Sequence, residues 1–91
     1  MSLFPLTEKV IEVRGQSLTI REWTPAQRSE FGRRKAEDPE AALFHMIASC
    51  VVSPAINAED LAEYPVAVVD QLLSAILALN GLGVEVDEKN D

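Results

Sequence analysis

The sequence predicts a mainly α, α+β domain: an N-terminal β-hairpin packed on a bundle of three to four short helices. Three observations lead there. Apolar and polar residues alternate on both sides of Gly15, the period of a half-buried strand. Helix-start signals recur at Thr24-Pro25, Asp38-Pro39 and Asn57. From residue 66 onward the apolar residues follow the 3.6-residue period of an amphipathic helix. With 91 residues there is room for one domain. Residues 1–8 read as a lead-in containing Pro5, 9–82 as the domain, and 83–91 as an acidic C-terminal tail.

In the hairpin, Ile11 and Val13 alternate with Val10, Glu12 and Arg14, and Leu18 and Ile20 alternate with Thr19 and Arg21. Gly15-Gln16 suits a two-residue turn with glycine first. That turn sets Val13 opposite Leu18 and Ile11 opposite Ile20, with all four on one side. A lone hairpin is marginal in water, so this one is expected to lie on helices.

Thr24-Pro25-Ala26-Gln27 combines an N-cap, a proline at the first helical position and a capping-box glutamine. The helix it opens runs to about Glu37. Its apolar face is thin (Ala26, Phe31 and Ala36), which predicts a surface position. Asp38-Pro39-Glu40 starts a second helix, expected over residues 39–52 and ended by Ser53-Pro54. Leu43, Phe44, Met46, Ile47, Cys50 and Val51 give it a broad apolar face, with His45 and Ser49 as a narrow polar stripe. Asn57-Ala58-Glu59-Asp60 opens a short helix over 58–63. A fourth begins at Pro65 and runs to Leu79, where Asn80-Gly81 is a stop signal. Val66, Val69, Leu72, Leu73, Ile76 and Leu77 form its apolar side, opposite Asp70, Gln71 and Ser74.

The net charge of −7 is unevenly placed. Residues 1–35 hold seven basic and four acidic side chains, a net +3; residues 36–91 hold Lys89 and eleven acids, a net −10. An acidic second half repels a phosphate backbone and favours a basic partner or head-to-tail self-association into a homo-oligomer. The lone Cys50 allows no intramolecular disulfide, which fits a reducing compartment. There is no basic segment leading into a long apolar run, and no stretch of the roughly 18 apolar residues that crosses a bilayer. A cytoplasmic protein without membrane contact is expected.

Catalytic and metal-binding patterns are missing from the sequence. His45 and Cys50 are five apart and fall on different faces of one helix, out of hydrogen-bond reach. One histidine and one cysteine make no zinc pattern. Glu40, Glu59 and Asp60 sit in first helical turns, where they interact with the helix dipole. Gly15, Gly32, Gly81 and Gly83 are dispersed and make no phosphate loop. Neither enzymatic activity nor a cofactor is therefore expected. Arg28, Arg33, Arg34 and Lys35 raise the alternative of a small DNA-binding regulator. Against it, successive helical residues are ~100° apart, so three adjacent bases spread round the helix and make no flat recognition face. Nor does any helix after the second carry a basic residue with which to read a groove. Apolar excess on the second and fourth helices points to a protein partner. Ile47, Val51, Leu73 and Leu77, taken from those helical faces, are the candidate contact residues.

The order of elements carries a resemblance. A hairpin ending in Ile20-Arg21-Glu22-Trp23 passes straight into Thr24-Pro25-Ala26-Gln27. Two apolar helices follow, separated by Pro54 and a short acidic helix, and the chain closes on Leu77-Ala78-Leu79-Asn80-Gly81. Over residues 9–82 this resembles the short form of the tail assembly chaperones of long-tailed bacteriophages and prophages, in element order and local texture. The resemblance implies a helical, acidic, non-enzymatic protein of the bacterial host cytoplasm. Such a protein binds the tape measure protein, keeps it soluble, and gives way to the tail tube protein as the tube polymerises. It also implies an extended, frameshifted form diverging after Gly81. The remaining alternative is an acidic helical adaptor with an unrelated partner.

Overall fold

The computed structural model describes residues 3–82; the acidic tail at 83–91 lies outside them. The chain forms an α+β domain with strands β1 (Glu8–Val13) and β2 (Gln16–Arg21), helices α1 (Pro25–Glu37) and α2 (Pro39–Cys50), strand β3 (Val51–Ser53), and helices α3 (Ala58–Glu63) and α4 (Val66–Leu79). The expected hairpin on a helical bundle is present, with one addition: the sheet has three strands, in the order β1-β2-β3.

That third strand corrects the expected extent of the second helix. α2 stops at Cys50, and Val51 pairs with Ile20 and Ser53 with Thr19, antiparallel and with a register irregularity between Thr19 and Ile20. Val51 and Val52 are β-branched and lose less side-chain freedom in a strand than in a helix. The free edge of β2 supplies the hydrogen-bond partners that draw them out of the helix. The hairpin register is also corrected. Its loop is Arg14-Gly15, with φ of 51° and 83°, so Val13 faces Gln16 and Ile11 faces Leu18. Two successive positive φ values are those of a type I′ turn, whose twist matches the flanking strands. The shift is two residues, so each side chain keeps its expected face. At the open end Glu8 faces Arg21 and pairs with it at 2.7 Å. Glu22 N–H donates to Thr7 O at 3.0 Å, and Thr7 N–H to Glu22 Oε1 at 2.7 Å.

The helix signals act as their chemistry requires. Thr24 Oγ1 accepts from Gln27 N at 3.1 Å while Gln27 Oε1 accepts from Thr24 N at 2.9 Å. Asp38 serves two helices: its N–H donates to Arg34 O at 2.9 Å, closing α1, and its carboxylate accepts from Ala41 N at 3.1 Å, opening α2. Asn57 and Asp60 form a second reciprocal capping box. α4 ends with Gly81 at φ 72°; Leu82 N–H donates to Leu77 O and Gly81 N–H to Ala78 O, the two bonds of a Schellman stop.

The core lies between the sheet and α2, α3 and α4. Val13 and Ile20 come from the sheet, Met46, Ile47 and Cys50 from α2, Val51 from β3, Leu61 from α3, and Val69, Leu72 and Ile76 from α4. α1 contributes no buried residue, as its thin apolar face predicts. Its Phe31 packs against the edge of the core, with its ring centre 5.6 Å from that of Trp23. Two long-range hydrogen bonds orient α4 under β1. Gln71 Nε2 donates to Glu12 O at 3.3 Å near the turn, and Asn80 Oδ1 accepts from Trp23 N at 2.8 Å where β2 leads into α1. β1 therefore runs antiparallel to α4. Among the described residues no helix is long and apolar enough to cross a membrane.

Candidate docking surface on the second and fourth helices

The four residues singled out in the sequence separate into two pairs. Ile47 is fully buried (0% exposed) and Val51 is buried in β3. Both are core residues, out of a partner's reach in this conformation, which corrects their assignment as contact residues. Periodicity marked Ile47 as apolar but could not tell which apolar side the sheet covers. Leu73 and Leu77 are half-buried. They lie on one stripe of α4 with Val66 and Asp70, because steps of three and four residues return to nearly the same angle on a helix. Asp70, expected opposite the apolar side, thus stands between Val66 and Leu73. The wholly buried stripe is Val69, Leu72 and Ile76, roughly a quarter-turn away.

Two open grooves flank this helix. One, of about 290 Å³, has an apolar floor from Leu43 and Phe44 of α2, Leu61 of α3 and Val69 of α4. Glu40 and Asp70 stand at its rim. No lysine or arginine occurs between residues 36 and 82, so no cation of that stretch offsets them. The other, of about 380 Å³, lies at the hairpin turn between Val13, Leu18, Ile56, Tyr64 and Val68, and its one charged lining residue is Arg14. Val66 is the residue that periodicity alone undervalued: it lies on the apolar side of α4, yet it is 76% exposed at the acidic groove's rim.

The basic cluster is spent largely within its own helix. Glu30 pairs with both Arg33 and Arg34, the latter at 2.8 Å. Lys35 Nζ stands 5.9 Å from the Phe31 ring centre, within cation–π range. Arg28 is the exception. Among the described residues it makes no ion pair and instead lines a cleft with Trp23, Pro25, Asn80 and Leu82. His45 is exposed and Cys50 buried, on different faces of α2 as their spacing predicts. Burial pushes the Cys50 thiol above its ordinary pKa, and a hydrogen bond with Ser49 pulls weakly the other way.

No protein-family model, no curated protein and no solved structure matches the chain.

Proposed function

We propose that this chain is a tail assembly chaperone of a long-tailed bacteriophage or prophage. It binds the tape measure protein in the bacterial host cytoplasm and keeps it soluble until the tail tube protein takes its place. It acts by binding, without catalysis or a cofactor. The observation that supports this reading most is the outer stripe of α4. Val66, Leu73 and Leu77 leave apolar surface beside an open apolar groove, and helix-in-groove docking uses such a surface to cover an amphipathic helical partner. The contacts are aliphatic and shallow, without an exposed aromatic anchor on that stripe, which suits binding that must later be reversed. Resemblance in element order supplies the partner's identity.

The test is co-expression with the tape measure protein encoded at the same locus. The soluble fraction of that protein rises and the two co-purify. Leu77→Asp removes the effect while the chaperone stays folded. An unchanged soluble fraction with no co-purification overturns the proposal.

A further inference from the structure

We propose that the acidic segment 83–91 folds back on its own chain, seating the carboxylates of Glu85, Asp87 and Glu88 against Arg28 at the cleft where α1 begins. This goes beyond the proposed function and does not rest on it. The cleft, of about 220 Å³, lies between Trp23, Thr24, Pro25 and Arg28 at the start of α1 and Asn80 and Leu82 at the end of α4. Arg28 is exposed and makes no ion pair among the described residues. It stands near the positive end of the α1 dipole, and the first turn of α1 holds no acid to offset it. No acidic residue lines the cleft. Trp23 adds a second unmatched donor, since its indole N–H is shielded from solvent with no acceptor among the described residues. A corner with surplus donors and positive charge is matched by an anion that carries acceptor oxygens, as a carboxylate does.

The segment begins at the cleft. Leu82, the last described residue, is part of its wall, and the Leu82 N–H is bonded to Leu77 O at 2.7 Å. The stop of α4 therefore delivers the chain to this place. Glu85 is three residues beyond Leu82, a span of up to about 10 Å, and Asp87 is five, up to about 17 Å. A cleft of this volume is within the reach of both. A segment tethered at the edge of a site meets it at an effective concentration in the millimolar range. A second copy or a separate acidic peptide reaches that only in concentrated solution, so the occupant is the chain's own segment.

Charge favours the same place. Residues 22–35 carry Arg28, Arg33, Arg34 and Lys35 against Glu22 and Glu30, a net +2; residues 83–91 carry Glu85, Asp87, Glu88 and Asp91 against Lys89, a net −3. The two acids of the basic stretch are already engaged, Glu22 with the Thr7 N–H and Glu30 with Arg33 and Arg34. Over the rest of the helical surface the segment is repelled, because residues 36–82 hold seven acids and no lysine or arginine. Arg21 is paired with Glu8, and Arg14 lies in the groove at the other end of α4, beside Val68. Lys9, on β1, does not line the cleft. Arg28 is thus the unspent guanidinium at the point where the segment starts.

Nuclear magnetic resonance on the full chain between about 0.01 M and about 1 M salt tests this, because that range shortens the screening length from about 30 Å to about 3 Å. Trp23 is the sole tryptophan, so its indole N–H gives one resonance at the cleft. In the unaltered chain this resonance and the backbone N–H signals of Ala26 and Gln27 move as salt rises, while that of Gly15, at the distant hairpin turn, holds still. Arg28→Lys keeps the movement. Arg28→Gln cuts it about threefold, and so does the combined change Glu85→Gln, Asp87→Asn and Glu88→Gln, each with an unchanged circular dichroism spectrum. The movement is the same over a wide range of protein concentration, as a contact within one chain requires. Three results each overturn the proposal: an unaltered chain whose cleft signals ignore salt, a movement that survives neutralising the segment, and a movement that grows with protein concentration, which assigns the segment to the cleft of a second copy.

Discussion

Trp23 and Asn80 are joined by a hydrogen bond of 2.8 Å from the Trp23 backbone N–H to the Asn80 side-chain oxygen. The same amide group donates through Nδ2 to Ile76 O at 2.8 Å. One side chain thus fastens the corner between β2 and α1 to the last turn of α4. Asn80→Ala strands a partly buried N–H, and leaving such a donor unpaired costs about 1–3 kcal/mol. Asn80→Asp retains the acceptor and loses less. Urea denaturation with both variants checks the order: the alanine form has the lower midpoint.

Ile47 is fully buried, so its substitution acts on the fold before it acts on any partner. Ile47→Val is expected to cost about 0.5–1.5 kcal/mol and Ile47→Ala about 2–5 kcal/mol, the added loss reflecting the cavity left behind. Val66→Ala, at an exposed position, stays within about 0.5 kcal/mol of the unaltered chain. Thermal unfolding of the three variants measures the contrast, and equal losses at 47 and 66 contradict the burial pattern.

Arg14 holds φ 51° in the hairpin loop, a region where a side chain with a Cβ is strained. Asparagine tolerates it better, and Asn-Gly is the preferred type I′ pair. Arg14→Asn is therefore expected to stabilise the domain by on the order of 1 kcal/mol, and Gly15→Ala, at φ 83°, to destabilise it by a similar amount. Equilibrium unfolding reads both signs.

The Cys50 thiol is buried and its pKa is raised, chiefly by desolvation of the thiolate. The folded state therefore favours the protonated form. Its contribution to stability is full below the unfolded thiol's pKa, about 8.5, and is lost as pH rises from there through the higher folded value. Stability measured above that pH should fall, and Cys50→Ser should flatten that part of the profile. At neutral pH a thiol reagent should modify native Cys50 only as fast as the domain opens.

Most helix boundaries were legible because their signals are local. Thr24 with Gln27, Asp38 with Pro39, and Asn57 with Asp60 each bond within a few residues of themselves. β3 was not legible. Val51 and Val52 continue the apolar pattern of α2, and what turns them into a strand is the edge of β2, supplied by a distant part of the chain. Arg14 hid the hairpin register, because a long charged residue at positive φ departs from the glycine-first pattern that Gly15-Gln16 suggests. The candidate site was half legible for the same reason. Periodicity found the apolar positions of α2 and α4, but the sheet that hides Ile47 and Val51 while leaving Leu73, Leu77 and Val66 nearer the surface is a nonlocal fact.

The third strand also bears on the order in which the molecule is made. Ile20 leaves the ribosome about thirty residues ahead of Val51, an interval of a few seconds at ordinary synthesis rates of about 5–20 residues per second. Through that interval β2 has neither its second neighbour nor the helices beneath it, and a two-stranded ribbon without such support is barely stable. The hairpin is thus translated ahead of the helices it lies on, and its sheet is among the last parts to be completed. Its completion waits for the nascent chain to deliver β3 and then α4, whose Asn80 fastens the corner at Trp23.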